Sequence, residues 1–325
     1  MLVQGDSPFL PDDIIPSILK RLPVKTLIRF QCVSKLWKNL VRSPYFIADH
    51  LHHTSNQRPR FLFISGGYDS LNLSVVDYAA THKLLYLWKP SFMSKLSRTR
   101  FINSCNGLIC VRYDSDASSS GTSLFIWNPA TREVRCVPGG IDGDVDGVFC
   151  FGFGFSPILN DYKIVKICMS EVNLRVEVYS LNTDTWREIE FGNTEIGRIS
   201  RSHASFNGSI FWVAEEMNGI VSFDLAREVF VFMPVPGLYI KSQYLKFLEL
   251  NKKLVLAGFN LNRRYEYALH FWEMEEVVDV SDDKKWGWKK IDKSRPRISN
   301  LATEVLAYVE SLVPIPNIKC EEPKS

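Results

Sequence analysis

The stretch LFIWNPATREVRCVP, residues 124–138, sets two aromatic and β-branched runs on either side of a polar turn that contains a proline. Runs of that composition broken by Asn, Pro and Thr read as the two strands of a hairpin. The same design recurs in SVVDYAATHKLLYLW (74–88), VEVYSLNTDTWREIE (176–190), IVSFDLAREVFVFMP (220–234) and LHFWEMEEVVDVSDDKKWGWKKI (269–291). With Asp77, Asn128, Asn182, Asp224 and Met274 taken as turn-proximal positions, successive units lie 51, 54, 42 and 50 residues apart. A repeat of roughly 40 to 50 residues with several strands per unit predicts a β-propeller. Five repeats are readable.

Between the hairpins lie further strand-like runs at 101–112, 149–167, 205–214 and 247–259, several carrying the Asn-Gly or Gly punctuation of a tight reversal. The segment ATEVLAYVESLVP, 302–314, fits helix or strand by period, and Val305, Tyr308 and Val309 favour strand. Paired with FLFIS at 61–65, it would close the propeller and remove an exposed sheet edge. Upstream, the composition changes at TSNQRPR, 54–60, which marks a domain boundary. The expected organisation is α+β and multidomain: a disordered start at 1–9, a helical head at 10–53, a linker at 54–60, an all-β propeller at 61–314 and a disordered tail at 315–325.

In the head, Ile14, Ile15, Ile18, Leu19 and Leu22 repeat at helical spacing, with Asp12 or Asp13 as a cap and Pro16 tolerated in the first turn if the cap is Asp13. Pro23 ends that helix; a second runs from Val24 to about Cys32, Ser34 caps a third, and Ser43-Pro44 opens a fourth toward His53. So small a unit does not bury all these groups alone. Its apolar excess, flanked by Lys20, Arg21, Lys25, Arg29, Lys35 and Lys38, suits docking on an acidic protein, while packing on the rest of the chain is the alternative.

Charge supports that division. Of 39 Lys and Arg the first 53 residues hold seven, and of 36 Asp and Glu they hold four, so the rest is neutral with 32 of each sign. A neutral body argues against bulk nucleic-acid binding. No apolar run reaches the roughly eighteen residues of a membrane span. The start MLVQGDSPFL lacks a cationic region and a long apolar stretch, which argues against secretion. The seven scattered cysteines, without a Cys-x-x-Cys pair, are expected to be reduced and to bind no zinc.

The head's phrases Leu-Pro-x-Asp-Ile-Ile, Ile-Leu-x-Arg-Leu-Pro-Val-Lys, Leu-x-Arg-Phe, Cys-Val-Ser-Lys-x-Trp and Ser-Pro-x-Phe resemble the F-box over 10–46. Ser17 departs from it, standing where the motif commonly has Glu. In the body, Ser-Cys-Asn-Gly-Leu-Ile-Cys, Trp-Asn-Pro-Ala-Thr-Arg-Glu, Gly-Phe-Gly-Phe-x-Pro, Val-Glu-Val-Tyr-Ser-Leu, Asn-Gly-x-Ile-Phe-Trp and Ile-Val-Ser-Phe-Asp-Leu resemble the F-box-associated interaction domain of plant F-box proteins, a kelch-like propeller. The resemblance implies a receptor subunit of an SCF-type ubiquitin ligase. Its F-box would dock on a Skp-type adaptor, reach the cullin and RING subunits through it, and bring a target protein held by the propeller. Carried over by position, Leu10, Pro11, Ile14, Ile15, Leu19, Leu22, Pro23, Leu27, Val33 and Trp37 are the adaptor contacts or their immediate support. Such a receptor is not itself catalytic, needs no cofactor and works in the cytoplasm, the nucleus or both.

Other motifs weigh less. Asp142, Asp144 and Asp146 imitate a calcium loop, but Phe153 stands where a bidentate Glu is needed. Gly152 and Gly154 lack a following helix to hold a phosphate and read as blade packing. His50, His52 and His53 read as a solvated helix end. His82, His203 and His270 have no partners for a triad, and Glu215/Glu216 and Glu275/Glu276 would point to opposite strand faces. Arg98, Arg100, Arg263, Arg264 and Tyr265, with Arg198, Arg201, Tyr239 and Tyr267, are loop candidates for contacting a target, since Arg and Tyr are enriched at hot spots. A propeller enzyme would need clustered acids or metal ligands, which the sequence lacks. A protein- or glycan-binding module acting without a ligase is the remaining alternative.

Overall fold

The computed structural model describes residues 14–57, 60–65, 70–77, 84–91, 93, 98–114, 122–139, 148–169, 174–190, 198–214, 219–235, 245–250, 253–261, 267–278, 284–291 and 304–316. Four helices come first: α1 (Ile14–Leu19), α2 (Val24–Phe30), α3 (Lys35–Arg42) and α4 (Pro44–Ser55). The caps expected at Ser34 and Ser43 are formed, while the one expected for α1 lies outside the described residues. Ser34 Oγ accepts from the Trp37 N–H at 3.1 Å, and Ser43 Oγ accepts from the Phe46 N–H at 3.3 Å, with Pro44 in the first turn of α4. Pro23 precedes α2 in extended conformation and supplies no side-chain cap.

Twenty strands follow in five four-stranded antiparallel sheets. The first contains β1 (Arg60–Ser65), β2 (Asn72–Asp77) and β3 (Leu84–Tyr86), and the second β4 (Thr99–Cys105), β5 (Leu108–Asp114), β6 (Thr122–Asn128) and β7 (Glu133–Val137). The third runs through β8 (Val148–Ser156), β9 (Asp161–Met169), β10 (Leu174–Ser180) and β11 (Thr185–Ile189), and the fourth through β12 (Ile199–Phe206), β13 (Ser209–Ala214), β14 (Gly219–Asp224) and β15 (Val229–Pro234). The fifth holds β16 (Leu245–Leu250), β17 (Lys253–Leu261), β18 (Tyr267–Val278) and β19 (Lys284–Ile291). Finally β20 (Glu304–Tyr308) returns to the first sheet, antiparallel to β1, with Arg60 opposite Tyr308 and Ile64 opposite Glu304. These are the strand units expected of a propeller, and the expected pairing of the C-terminal segment with 61–65 is present. It is shorter than expected, because the chain leaves the sheet at Val309 and continues without regular structure to Pro316.

One turn chemistry recurs between third and fourth strands. Asn128, Ser180 and Asp224 each accept, at their backbone carbonyl, the N–H of the residue four positions on: Arg132 at 2.9 Å, Asp184 at 3.0 Å and Glu228 at 2.8 Å. Their side-chain oxygens also bind turn N–H groups, from Ala130 at 3.0 Å, Thr183 at 3.2 Å and Ala226 at 2.8 Å. The fifth residue is left-handed each time, with φ of 64° at Arg132 and 58° at Asp184 and Glu228. This corrects the repeat phase. Asn182 stands two residues beyond the structurally equivalent Ser180, and Met274 lies within β18 opposite Trp288 rather than at a turn.

Compactness divides the chain into one unit of residues 1–100, 104–136 and 303–325, and a second of 101–103 and 137–302. In the second unit, Cys150, Val165, Ile167, Val176 and Val178 pack with Ile210, Trp212, Val221, Phe223 and Leu225 between the third and fourth sheets. The close approach requires glycine: a Cβ on Gly152 would lie 2.6 Å from Trp212 Cζ2 and 2.8 Å from Ile210 Cγ2. Gly-x-Gly is therefore blade packing, as the sequence suggested. A buried ion group joins the same sheets, with Lys163 Nζ donating to Leu225 O and to Glu228 Oε1, both at 2.7 Å, and Arg187 pairing with Glu228. Burial pulls the Lys163 ammonium below its ordinary value.

Candidate functional site

The head sorts its apolar side chains into two sets. Leu19, Val24, Leu27, Val41 and Phe46 are buried together, and Leu312 from beyond β20 joins their cluster. Facing solvent are Ile14 and Ile18 of α1, 42% and 45% exposed, and Val33 and Leu36 around the start of α3, each 64% exposed. Tyr45 is exposed as well. Arg21, Lys25, Arg29, Lys35 and Lys38 are also exposed, whereas Lys20 is paired with Asp49 at 3.2 Å. Exposed apolar side chains on a helical unit that also exposes several lysines and arginines offer both area for burial and a positive field toward an acidic partner.

The residues singled out by position fall on both sides of this division. Ile14 and Val33 lie on the exposed side, and Leu19 and Leu27 in the core. Ile15 and Leu22 are half-buried, Pro23 is exposed, and Trp37 is half-buried with its ring 5.2 Å from that of Phe30. Leu10 and Pro11 lie outside the described residues. Ile18 and Leu36 are not among the adaptor contacts carried over by position, although both are large, apolar and exposed. Their signal was available in the helical period, which places Ile18 four residues from Ile14 on one face of α1.

His50 departs from the expected solvated helix end. It is buried, stacks against Phe46 at 6.2 Å, and its Nε2 lies 3.1 Å from Leu22 O. Burial lowers its pKa, opposed by the Leu22 carbonyl and by Glu310. With Nε2–H donating to Leu22 O, Nδ1 is the bare nitrogen, and it has no partner among the described residues. His52 is exposed at the end of α4, as expected.

Of the target-contact candidates in the body, the described residues include few. Arg98 is half-buried ahead of β4, Arg100 is exposed on β4 and Arg198 is exposed ahead of β12. Arg263, Arg264, Tyr265 and Tyr239 lie outside the described residues, as do His82, Glu215, Glu216 and the aspartates of 140–147. Of Arg201, Tyr267 and His270 only the strand backbone is described. His203 stacks near Trp212 at 6.3 Å, a packing role. Among the described residues no group of three or more His, Cys, Asp or Glu is placed to hold a metal, and no helix is long and apolar enough to cross a membrane.

Comparison with known proteins bears directly on both parts of the chain. Residues 8–49 match the F-box domain, and residues 68–313 match the F-box associated beta propeller domain. The chain is 29% identical to F-box protein CPR1 of Arabidopsis thaliana over 70% of its own length and 60% of that protein's. It is 27% identical to the F-box/kelch-repeat protein At3g23880, also of Arabidopsis thaliana, over 70% of this chain and 65% of that one. With the Arabidopsis thaliana F-box/kelch-repeat protein At3g17530 it shares 26% identity over 88% of its own length and 72% of the relative's. The chain thus spans under two thirds of the first two relatives. The F-box match lies over the four-helix head and the propeller match over the five sheets, and the chain belongs to the plant F-box proteins that carry an F-box associated β-propeller domain.

Proposed function

We propose that this protein is the substrate-recognition subunit of an SCF-type E3 ubiquitin ligase. The F-box docks on a Skp-type adaptor and is connected through it to the cullin and RING subunits, while the propeller domain binds a target protein. The chain contributes no catalytic group. It accelerates transfer by proximity, raising the effective concentration of target lysines near the charged conjugating enzyme. The observation that carries this reading is that Ile14, Ile18, Val33 and Leu36 are exposed on a head that also has a buried core of its own. Apolar groups left in water on so small a unit are suited to burial in a partner. In this reading Leu19 and Leu27 support the exposed residues from within, and Trp37 is fixed against Phe30. Arg98, Arg100, Arg263, Arg264 and Tyr265 are proposed target contacts, and the complex acts in the cytoplasm, the nucleus or both.

The test is adaptor binding by the full chain and by a Val33→Asp, Leu36→Asp variant. Both positions face solvent, so the variant should fold normally. It should lose the adaptor, because docking would then bury unpaired carboxylates. Retention of the adaptor at wild-type level refutes the docking face. Absence of binding by the unmodified chain supports a module that acts without a ligase.

A further inference from the structure

After β20 the chain does not drift away as a tail. Residues 309–316 run as an extended strap within the unit that contains the helices and the first two sheets. On the sheet side, Asn128 Nδ2 donates to Ser311 O at 3.1 Å and to Val313 O at 2.9 Å. The Ile315 N–H donates to Glu133 Oε2 at 3.3 Å, and Arg135 Nη1 donates to Pro316 O at 2.5 Å. Gly107 leaves room for it, since a Cβ there would fall on Ser311 Cβ and 2.6 Å from Val309 O. On the helix side, Glu310 Oε1 accepts the Val24 N–H at 3.0 Å, the cap that Pro23 cannot supply to α2. Leu312, only 7% exposed, completes the cluster of Leu19, Val24, Leu27, Val41 and Phe46. Glu310 and Leu312, two residues apart, meet the helices, while the alternate positions Ser311, Val313 and Ile315 are buried and Pro314 is exposed.

We propose that this strap is a strut that fixes the F-box to the propeller domain. The short connection from Ser55 to Arg60 joins the two covalently at one point. A single covalent connection does not by itself fix the head's orientation, and the strap supplies a further attachment by non-covalent contact. The consequence for ubiquitin transfer rests on the receptor reading above: a fixed head keeps the distance from adaptor to bound target constant, and slack would dilute the effective concentration.

The strut is tested without any ligase component, so its failure is distinct from failure of that reading. A site-specific protease sequence is inserted after the exposed Gln57 in the full chain, the connection is cut, and the nicked protein is passed through gel filtration and native mass spectrometry. The cut head should stay with the body. In a Glu310→Ala, Leu312→Asp variant it should dissociate at least roughly tenfold faster, and Pro314→Ser should retain it like wild type. If the aspartate prevents folding, Glu310→Gln with Leu312→Ala gives the same comparison. Immediate loss of the head from the nicked wild type overturns the proposal, and so does equal retention by the strap variants.

Discussion

Two leucines nine positions apart separate the head's own stability from its docking. Leu27 has no exposed surface and sits against Val24, Phe46 and Leu312, so Leu27→Ala removes buried methyl groups and leaves a cavity. That should cost about 2–5 kcal/mol of head stability. Leu36 is 64% exposed, so only about a third of its area is out of water. Complete burial of a leucine side chain contributes about 1.5–3 kcal/mol, and Leu36→Ala should therefore cost the isolated protein less than about 1 kcal/mol. In the docked state the uncovered two thirds would be buried, and their loss should weaken adaptor binding by about 1–2 kcal/mol, roughly 5- to 30-fold in Kd. Both variants are made in the full chain. Denaturant unfolding is followed by the helical circular-dichroism signal, which the four head helices supply, and adaptor affinity is measured calorimetrically well below the unfolding midpoint. Leu27→Ala should lower the midpoint yet bind nearly as well as wild type wherever it is folded. Leu36→Ala should do the reverse. The two-sided account of the head is refuted if Leu36→Ala binds the adaptor unchanged, or if the stability costs are equal.

Two further expectations concern pH and packing. Burial holds His50 below its ordinary pKa of 6.5, so the unfolded head takes up the proton first as pH falls through that value. Head stability should be complete above it and decline below, with a slope of at most about 1.4 kcal/mol per pH unit, until the native imidazole is also protonated. Denaturation midpoints of wild type and His50→Gln between about pH 7.5 and 5.5 check this, and equal slopes refute it. Glu133, raised by burial, contributes in the opposite direction from its ordinary 4.5 upward, but it is common to both proteins and cancels in the difference. Gly152→Ala places a Cβ 2.6 Å from Trp212 Cζ2 and should destabilise by about 1–3 kcal/mol, whereas Gly139→Ala, with nothing within 4 Å, should melt like wild type.

Local chemistry was legible where a few neighbouring residues decide the backbone. Ser34, Ser43-Pro44 and the Asn-Gly pairs at 106–107 and 207–208 were read directly, and both pairs have positive φ throughout, as a tight hairpin turn requires. The repeat itself was visible, but its phase was not. β18 is 12 residues long, and Met274, taken as turn-proximal from the spacing of the repeats, falls inside it. His50 could have been placed, since it stands four residues after Phe46 and therefore on the same face of α4. The contact of Glu310 with Val24 could not, because 286 positions separate them and neither residue carries a local signal of the other. Read alone, ESLVPIP suggests the end of a strand and the start of a tail. The side chains of Asn128, Glu133 and Arg135, distant in sequence, help hold it in place.

The division of the head also follows from its size. Four short helices have more apolar surface than they can turn inward, and adding residues is one remedy while borrowing them is another. Leu312 is borrowed from the far end of the chain, so the cluster around Leu27 is completed from behind. What remains uncovered are Ile14, Ile18, Val33 and Leu36, which are exposed to solvent. The head's apolar residues are thus divided in their use: the strap joins one set to the body, and the other is left for a partner. Shifting the strap by one residue would send Ser311 and Val313 to the helices in place of Glu310 and Leu312, exchanging the cap of α2 for a hydroxyl and the leucine for a smaller side chain. The register set by the two hydrogen bonds from Asn128 is therefore as much a part of the head's structure as its own helices.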